Sequence, residues 1–367
     1  MWLPLQDLDF PLPKADIKVV EDGNSSAVAR TGHGLQQAFI LTMLQHLALA
    51  QFPAETEPPA PPDGPPKTAE KKLPDLVLAI EEPELYQHPN RQRHFARTLL
   101  QLAGGKTPGV TERTQVLYST HSPLFVGIDR MDQIRLLRKV SVLGKPKITK
   151  CVFTTGDEIA EILWIANGST GPKYTGETLM PRLQSIMTPW MSEGFFAQAA
   201  TLVEGEDDRA ALLGMARVMN CDLGSEGISV IPCGGKVSLD RPAAIFRQLG
   251  IPIYVVRDGD KGENDAKPED NHCLLRLLGR DPVDWPSEIS PRFAVFERNL
   301  ETTLRDELGA AEFDRWLSEC QEEFRIPKRK HALKNPGVIA AIIQAGEAVG
   351  KTSRSLRQIC KLVLALA

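Results

Sequence analysis

An α/β fold built on parallel sheets, in two parts and with helical additions near its end, is predicted by three observations. Continuous apolar runs, Leu76–Ile80 and Ile253–Val256 among them, read as strands buried on both faces, the habit of parallel sheets. Between Thr201 and Asp260 three β-then-α units follow one another. The C-terminal tips of these strands carry glycines and carboxylates, where open α/β sheets place their ligands. The 367 residues suffice for two domains with substantial cores.

Residues 1–30 are irregular, with a strand or two among prolines. Thr31-Gly32-His33-Gly34-Leu35-Gln36 then leads into a helix over 37–49. Two glycines and a hydroxyl ahead of a helix form a nest of N–H groups suited to phosphate. Residues 53–66, PAETEPPAPPDGPP, predict a disordered or polyproline-like insertion between elements. Leu76–Ile80 ends in Glu81-Glu82-Pro83-Glu84. Two acidic residues at such a tip suit an Mg²⁺ shell and the polarisation of an attacking water. A helix over about 90–102 precedes a second strand, Gln115–Ser119, whose tip holds Thr120-His121-Ser122-Pro123. A β-hairpin over 134–153, a helix over 156–167 and a connecting segment, 168–196, follow.

Thr201-Leu202-Val203 runs into Glu204 and Gly205, and Glu206, Asp207 and Asp208 open an amphipathic helix over 209–218. Ile228–Pro232 ends in Cys233-Gly234-Gly235, with Ser238 beyond, and a helix starts near Pro242. Ile253–Val256 runs into Arg257 and Asp258-Gly259-Asp260, whose two aspartates can aim at one point. Glu204, Asp208, Asp258 and Asp260 suit hard divalent cations with oxygen ligands. The competing reading of each acidic group alone is a solvated helix cap, and Glu206 and Asp207 are expected to be that. A late strand, Arg292–Phe296, is followed by Asn299 as an N-cap and a helix to about Leu308. Further helices are expected over 311–324, 337–348 and 356–366, with the basic stretch Lys328-Arg329-Lys330 and Lys334 between the first two. The apolar end of the last, LVLALA, points to burial or a dimer contact.

The formal net charge of −4 provides no global field for nucleic acid, so any DNA role must rest on local basic patches or metal ions. The six cysteines are scattered without a C-x-x-C pair, which fits a reducing cytoplasm rather than a zinc ribbon or disulfide framework. No run approaches the roughly 20 apolar residues a bilayer span needs, and no signal peptide is visible. A cytoplasmic protein with no membrane partner is expected.

The acidic pattern resembles the Toprim domain shared by topoisomerases, bacterial primases and the OLD (overcoming-lysogenization-defect) nucleases. Glu204 matches the Glu after its first strand, and Asp258/Asp260 its later Asp-x-Asp. The form Leu202-Val203-Glu204-Gly205-Glu206-x-Asp208 looks most like the OLD nucleases. Upstream, the ordered motifs resemble the second half of an ABC-type ATPase. By that match Thr31, Gly32 and Gly34 stand in the signature loop, Glu81 and Glu82 at the Walker B positions, Leu85–Pro89 in the D-loop and His121 at the switch position. No G-x-x-x-x-G-K-[ST] occurs. Gly350-Lys351-Thr352 resembles the end of such a loop, but Ala345 stands where its first glycine belongs. The expected architecture is therefore a partial ABC-type ATPase lobe, 1–165, a connection, 166–196, and a Toprim-like domain with helical additions, 197–367. The resemblance implies that an N-terminal ATPase half precedes residue 1 in a longer protein, and that this chain alone handles ATP poorly.

That resemblance also implies metal-dependent DNA cleavage with two divalent ions, Mg²⁺ or Mn²⁺, with Ca²⁺ as a non-productive or supporting ion. Glu204 and Asp208 would form one metal-binding group and Asp258 and Asp260 the other, with Glu301 or Glu297 as an extra ligand. Lys334 would stabilise charge on the scissile phosphate, and Gly234, Gly235 and Ser238 would admit it closely. A helicase and a second copy of the chain are the further partners it suggests. Two competing readings are a non-cutting DNA-binding Toprim/ABC module and a topoisomerase-like enzyme. The latter needs a tyrosine at the metal site, and none of Tyr86, Tyr118, Tyr174 and Tyr254 is placed for it.

Overall fold

The computed structural model describes residues 17–21, 23–32, 34–36, 39, 76–105, 114–264 and 266–367. The helix expected over 37–49 (Phe39 excepted) and the proline-rich segment 53–66 lie outside them. Two compact units divide the chain, Met1–Phe125 and Val126–Ala367.

In the first unit β1 (Lys18–Glu21) and β2 (Asn24–Ala27) form an antiparallel hairpin. β3 (Leu76–Glu81) and β4 (Thr114–Ser119) pair in parallel, linked by α1 (Pro89–Ala103). Ala96, Leu99 and Leu102 of α1 pack with Leu78 and Phe125. β3 is not the fully buried strand its composition predicts. Only Leu78 is buried, while Val77 and Leu117 are 60% and 56% exposed, because α1 covers one face of the pair.

The second unit begins with a projecting hairpin, β5 (Leu136–Val142) and β6 (Lys145–Val152), turning at Gly144 with φ +70°. α2 (Gly156–Ala166) starts from a capping box in which Thr155 and Glu158 each satisfy the other's backbone N–H. Segment 168–196, expected as a plain connection, contains two helices, α3 (Gly176–Gln184) and α4 (Pro189–Gly194). Thr175 and Thr188 cap them, and the internal Pro181 hides the helical pattern of the first.

The main sheet has the order β10-β11-β9-β7-β8, with β7 (Ala199–Val203) between β8 (Ile228–Pro232) and β9 (Ile253–Asp258). β11 (Phe293–Phe296) pairs parallel to β9, and only the short β10 (Glu288–Ile289) is antiparallel. Alternate side chains of each strand feed two separate cores. Val203, Tyr254, Val256 and Phe296 pack under α5 (Glu206–Val218), α8 (Leu300–Leu308), α9 (Ala310–Glu323), α11 (Pro336–Ala348) and α12 (Arg354–Leu364); α10 (Arg329–Leu333) adds Ala332. Ala200, Leu202, Ile231 and Val255 pack under α2, α3, α6 (Asp240–Gln248) and α7 (His272–Leu277). The result is three layers with helices on both faces, which explains why the strands are apolar throughout. Ile128, Met131, Ile159 and Leu163 belong to the second of these cores. Residues 126–165, expected with the first lobe, thus pack with the second.

Candidate metal centre

The main sheet delivers four carboxylates to one end. β7 stops at Val203, paired with Pro232 of β8 and Val256 of β9, so Glu204, the Gly234-Gly235 turn and Asp258 emerge side by side. Gly234 and Gly235 both donate backbone N–H bonds to the Glu204 carbonyl, at 3.0 and 2.9 Å, with φ of +82° and +126° that a side chain would resist.

Each acidic side chain is held by the backbone of a neighbouring element. Glu204 Oε1 accepts from Asp258 N at 2.8 Å. Asp258 Oδ1 accepts from Leu300 N at 3.0 Å, tying β9 to the first residue of α8. Asp208 Oδ2 accepts from Gly205 N at 3.0 Å, so it does cap α5, yet it is buried, whereas Glu206 and Asp207 beside it are exposed as expected. In Glu204 and Asp258 the second oxygen makes no hydrogen bond among the described residues, while the Glu204 N–H also faces Asp208. Asp260 has φ +61°, and Lys236 Nζ bonds both its Oδ2, at 3.1 Å, and the Gly259 carbonyl, at 3.0 Å.

Burial dominates the electrostatics. It pushes the Glu204 carboxyl up to about 7, with Asp260 adding repulsion and the Asp258 N–H working against both. Burial and Asp207 push Asp208 up to about 7. Burial, Asp208 and Glu204 push Asp258 up to about 9. These groups hold their protons only for want of positive charge. Hard oxygens with a free lone-pair side suit divalent ions. Among the described residues no three His, Cys, Asp or Glu groups are already gathered about one metal position. Mutual repulsion and the lysine bridge on Asp260 account for that spread.

Other expected site residues stand further out. Glu297 pairs with Lys261 at 2.5 Å and Glu301 with Arg329 at 2.6 Å, so neither turns to the cluster. Ser238 closes the short turn after Gly235, its N–H donating to the Gly235 carbonyl at 3.0 Å. Lys334 is exposed after α10, with no hydrogen bond to the cluster among the described residues. The Pro336 carbonyl, just after it, lies 3.0 Å from where a Cβ on Gly214 would stand, six residues and about 9 Å along α5 from Asp208.

Lys236 escaped the sequence reading; its signal was a cation directly after two glycines at a strand tip. Arg257 and Asn271 escaped it too. Arg257, 2% exposed, donates to the Asn271 carbonyl, and its Nε and Nη2 have no hydrogen-bond partner among the described residues. Tyr254 is fully buried and donates to the Ser290 carbonyl at 3.0 Å, so it is no nucleophile. Lys351 pairs with Glu312 at 2.6 Å rather than serving a phosphate loop.

The turn after β9 has no spare room. A Cβ on Gly259 would stand 2.6 Å from the Glu297 carbonyl oxygen and 2.7 Å from that of Phe296. Gly259→Ala is therefore expected to destabilise the unit by about 1–3 kcal/mol, read as a lowered melting temperature.

In the first unit Glu82, with φ +45°, places a carboxylate oxygen 3.5 Å from His121 Nε2. Glu84 accepts from the Thr120 hydroxyl at 2.8 Å and the His121 N–H at 2.6 Å, fixing the histidine loop. Glu81 ends β3, exposed. Gln87 donates to the Gly34 carbonyl at 3.2 Å, and the Thr31 hydroxyl to the Val28 carbonyl at 2.7 Å, while Gly32 is exposed. The sequence motifs for a nucleotide site thus come together in this unit.

An acidic cluster at the tips of two neighbouring parallel strands, beside a glycine turn at the tip of a third and between two helical layers, defines a Toprim-type domain. The OLD-like Toprim domain (overcoming lysogenization defect protein-like) matches residues 195–260, and an AAA ATPase domain matches residues 5–126. The chain is similar to the OLD nuclease of Thermus scotoductus, 32% identical over 223 residues, covering 56% of this chain and 38% of that protein. It is 24% identical over 273 residues to the Old nuclease of Escherichia phage P2, covering 69% and 39%. Among solved structures, the C-terminal region of the Burkholderia pseudomallei OLD protein matches with TM-score 0.32 and 22% identity, covering 47% of this chain and all of that one. The C-terminal region of the Xanthomonas campestris OLD protein matches with TM-score 0.31 and 19% identity, over 47% and 95%. The chain carries an OLD-like Toprim domain and spans about two-fifths of the length of the curated OLD nucleases it matches. No helix among the described residues is long and apolar enough to cross a membrane.

Proposed function

We propose that the second unit is a metal-dependent nuclease cutting DNA phosphodiester bonds, regulated through the ATPase domain. The observation that carries this reading is the set of Glu204, Asp208 and Asp258, each fixed by a neighbouring backbone N–H, with a spare oxygen on Glu204 and on Asp258. Charge of one sign at strand tips, kept protonated by burial, is what a protein builds to be completed by cations. Glu204, Asp208, Asp258 and Asp260 would hold two divalent ions, Mg²⁺ or Mn²⁺, which when bound would supply an activated water and charge for the leaving oxygen. The glycine turn at 234–235 leaves room for a phosphate to approach the backbone. Lys236, 10% exposed at its side chain, holds Asp260 toward that turn and offers positive charge at its rim. Lys334 would be a second cation for the scissile phosphate.

A supercoiled plasmid incubated with the chain in Mg²⁺ or Mn²⁺ should be nicked, and EDTA should stop it; intact plasmid under every metal condition would favour a non-cutting DNA-binding module. Lys236→Gln is expected to destabilise the metal-free protein more than the Mg²⁺-loaded one. The lysine is the nearest counter-charge of Asp260 only while no ion is there. Equal melting-temperature losses in EDTA and Mg²⁺ would remove that role.

A further inference from the structure

We infer that the β5–β6 hairpin is a second DNA-contacting element, binding the phosphate backbone of a duplex away from the cleavage centre. Six basic residues, Arg135, Arg138, Lys139, Lys145, Lys147 and Lys150, fall on the hairpin and its immediate base, and no acidic residue occurs between Asp132 and Asp157, in a chain whose net charge is −4. The registry sorts them by face. Lys139 stands opposite Thr149, with Lys147 two positions along β6, while Lys145, opposite Val142 beyond a register shift, shares the other face with Arg138 and Lys150, so lysines line both faces of the ribbon. Lys139, Lys145 and Lys147 are exposed, and none forms an ion pair among the described residues.

The ribbon is poorly explained as a packing element. Only its base joins a core, where Leu136 packs at the edge and Arg138 donates to the Ala197 carbonyl at 2.5 Å. The tip is solvated, with Leu143 fully exposed. A two-stranded ribbon alone is marginal in water. This one also sets Arg138 directly opposite Lys150, a like-charge pair that destabilises until an anion neutralises it. A polyanion is the partner that turns each of these liabilities into binding. The two-stranded shape also fits the major groove. Arg138 anchors the ribbon just ahead of Ala199, the start of β7, whereas the carboxylates follow its other end. The hairpin face is thus separate from the cleavage centre and extends the footprint of the protein on DNA.

The proposal shares its DNA substrate with the function proposed above, and it is tested without cleavage. Binding of a fluorescent 30-base-pair duplex, about three turns long, to the full chain in EDTA is followed by anisotropy across a salt series. For K139Q/K145Q/K147Q the affinity at low salt should fall at least tenfold. The slope of log K against log[salt] should shrink by about 0.9 for each phosphate the hairpin ceases to neutralise. The triple Lys→Arg variant should bind as wild type, which guards against a folding defect in the glutamine variant. In Mg²⁺ the glutamine variant should need more DNA for half-maximal nicking but reach the same maximal rate. An unchanged salt slope in the correctly folded glutamine variant overturns the proposal. So does tighter binding of the wild-type hairpin face to anionic phospholipid vesicles or polyglutamate than to DNA.

Discussion

Asp258→Ala is expected to lower metal-dependent nicking on the order of a hundredfold or more, and Glu204→Ala to do the same. Both changes act through the same convergence. Asp258 ends β9 and bonds the first turn of α8, and Glu204 ends the neighbouring strand and accepts the Asp258 N–H. Removing the Asp258 side chain takes a ligand from the cluster and frees the Leu300 N–H, and removing that of Glu204 takes a ligand and frees the Asp258 N–H. In EDTA at about pH 9 the two variants should melt no lower than wild type, because relief of a buried, ionising carboxyl offsets the lost hydrogen bond. Plasmid nicking and thermal unfolding, run side by side on the same preparations, check both halves. Wild-type nicking by Glu204→Ala in Mg²⁺ or Mn²⁺ would sink the nuclease reading.

The second large effect is on stability against pH. In EDTA the melting temperature should fall as pH rises from about 5 to 9. Unfolded Asp and Glu titrate near 4. In the folded chain Glu204 and Asp208 hold their protons to about 7, and Asp258 to about 9. Between those values the native state binds more protons than the unfolded one, so stability is lost with rising pH and is fully present only below about 4. Glu204 alone accounts for about 3 kcal/mol, a loss on the order of 10 °C. Divalent ions bind only the folded cluster and replace those protons, so Mg²⁺ should flatten the profile and raise it most at high pH. A melting temperature in EDTA that is level or rises over that range would show that the carboxylates do not share a buried field.

β7, β8 and β9 were legible because strands covered on both faces are apolar at every position, and Leu202, Ile231 and Val255 each feed a core. The acidic quartet was legible because its members follow those strands immediately. Lys236 was not, since a lone lysine carries no periodic signal and only the fold places it 3.1 Å from Asp260. Arg257 was hidden for a related reason, because a charged residue inside an apolar strand looks like the strand's end. Helix α3 was masked by Pro181, although the threonine cap and capping box that start it were readable in principle. The exposure of Val77 depends on what covers the second face of β3, which no local pattern encodes.

The chain of bonds from Leu300 N to Asp258, and from Asp258 N to Glu204, has a mechanical meaning. It couples the tip of one strand, the tip of the next and the head of α8 in series. Sliding α8 by the length of a single hydrogen bond would free the Asp258 carboxylate while the β9 backbone still held Glu204. Whatever grips α8 from outside would thus hold the handle of one carboxylate.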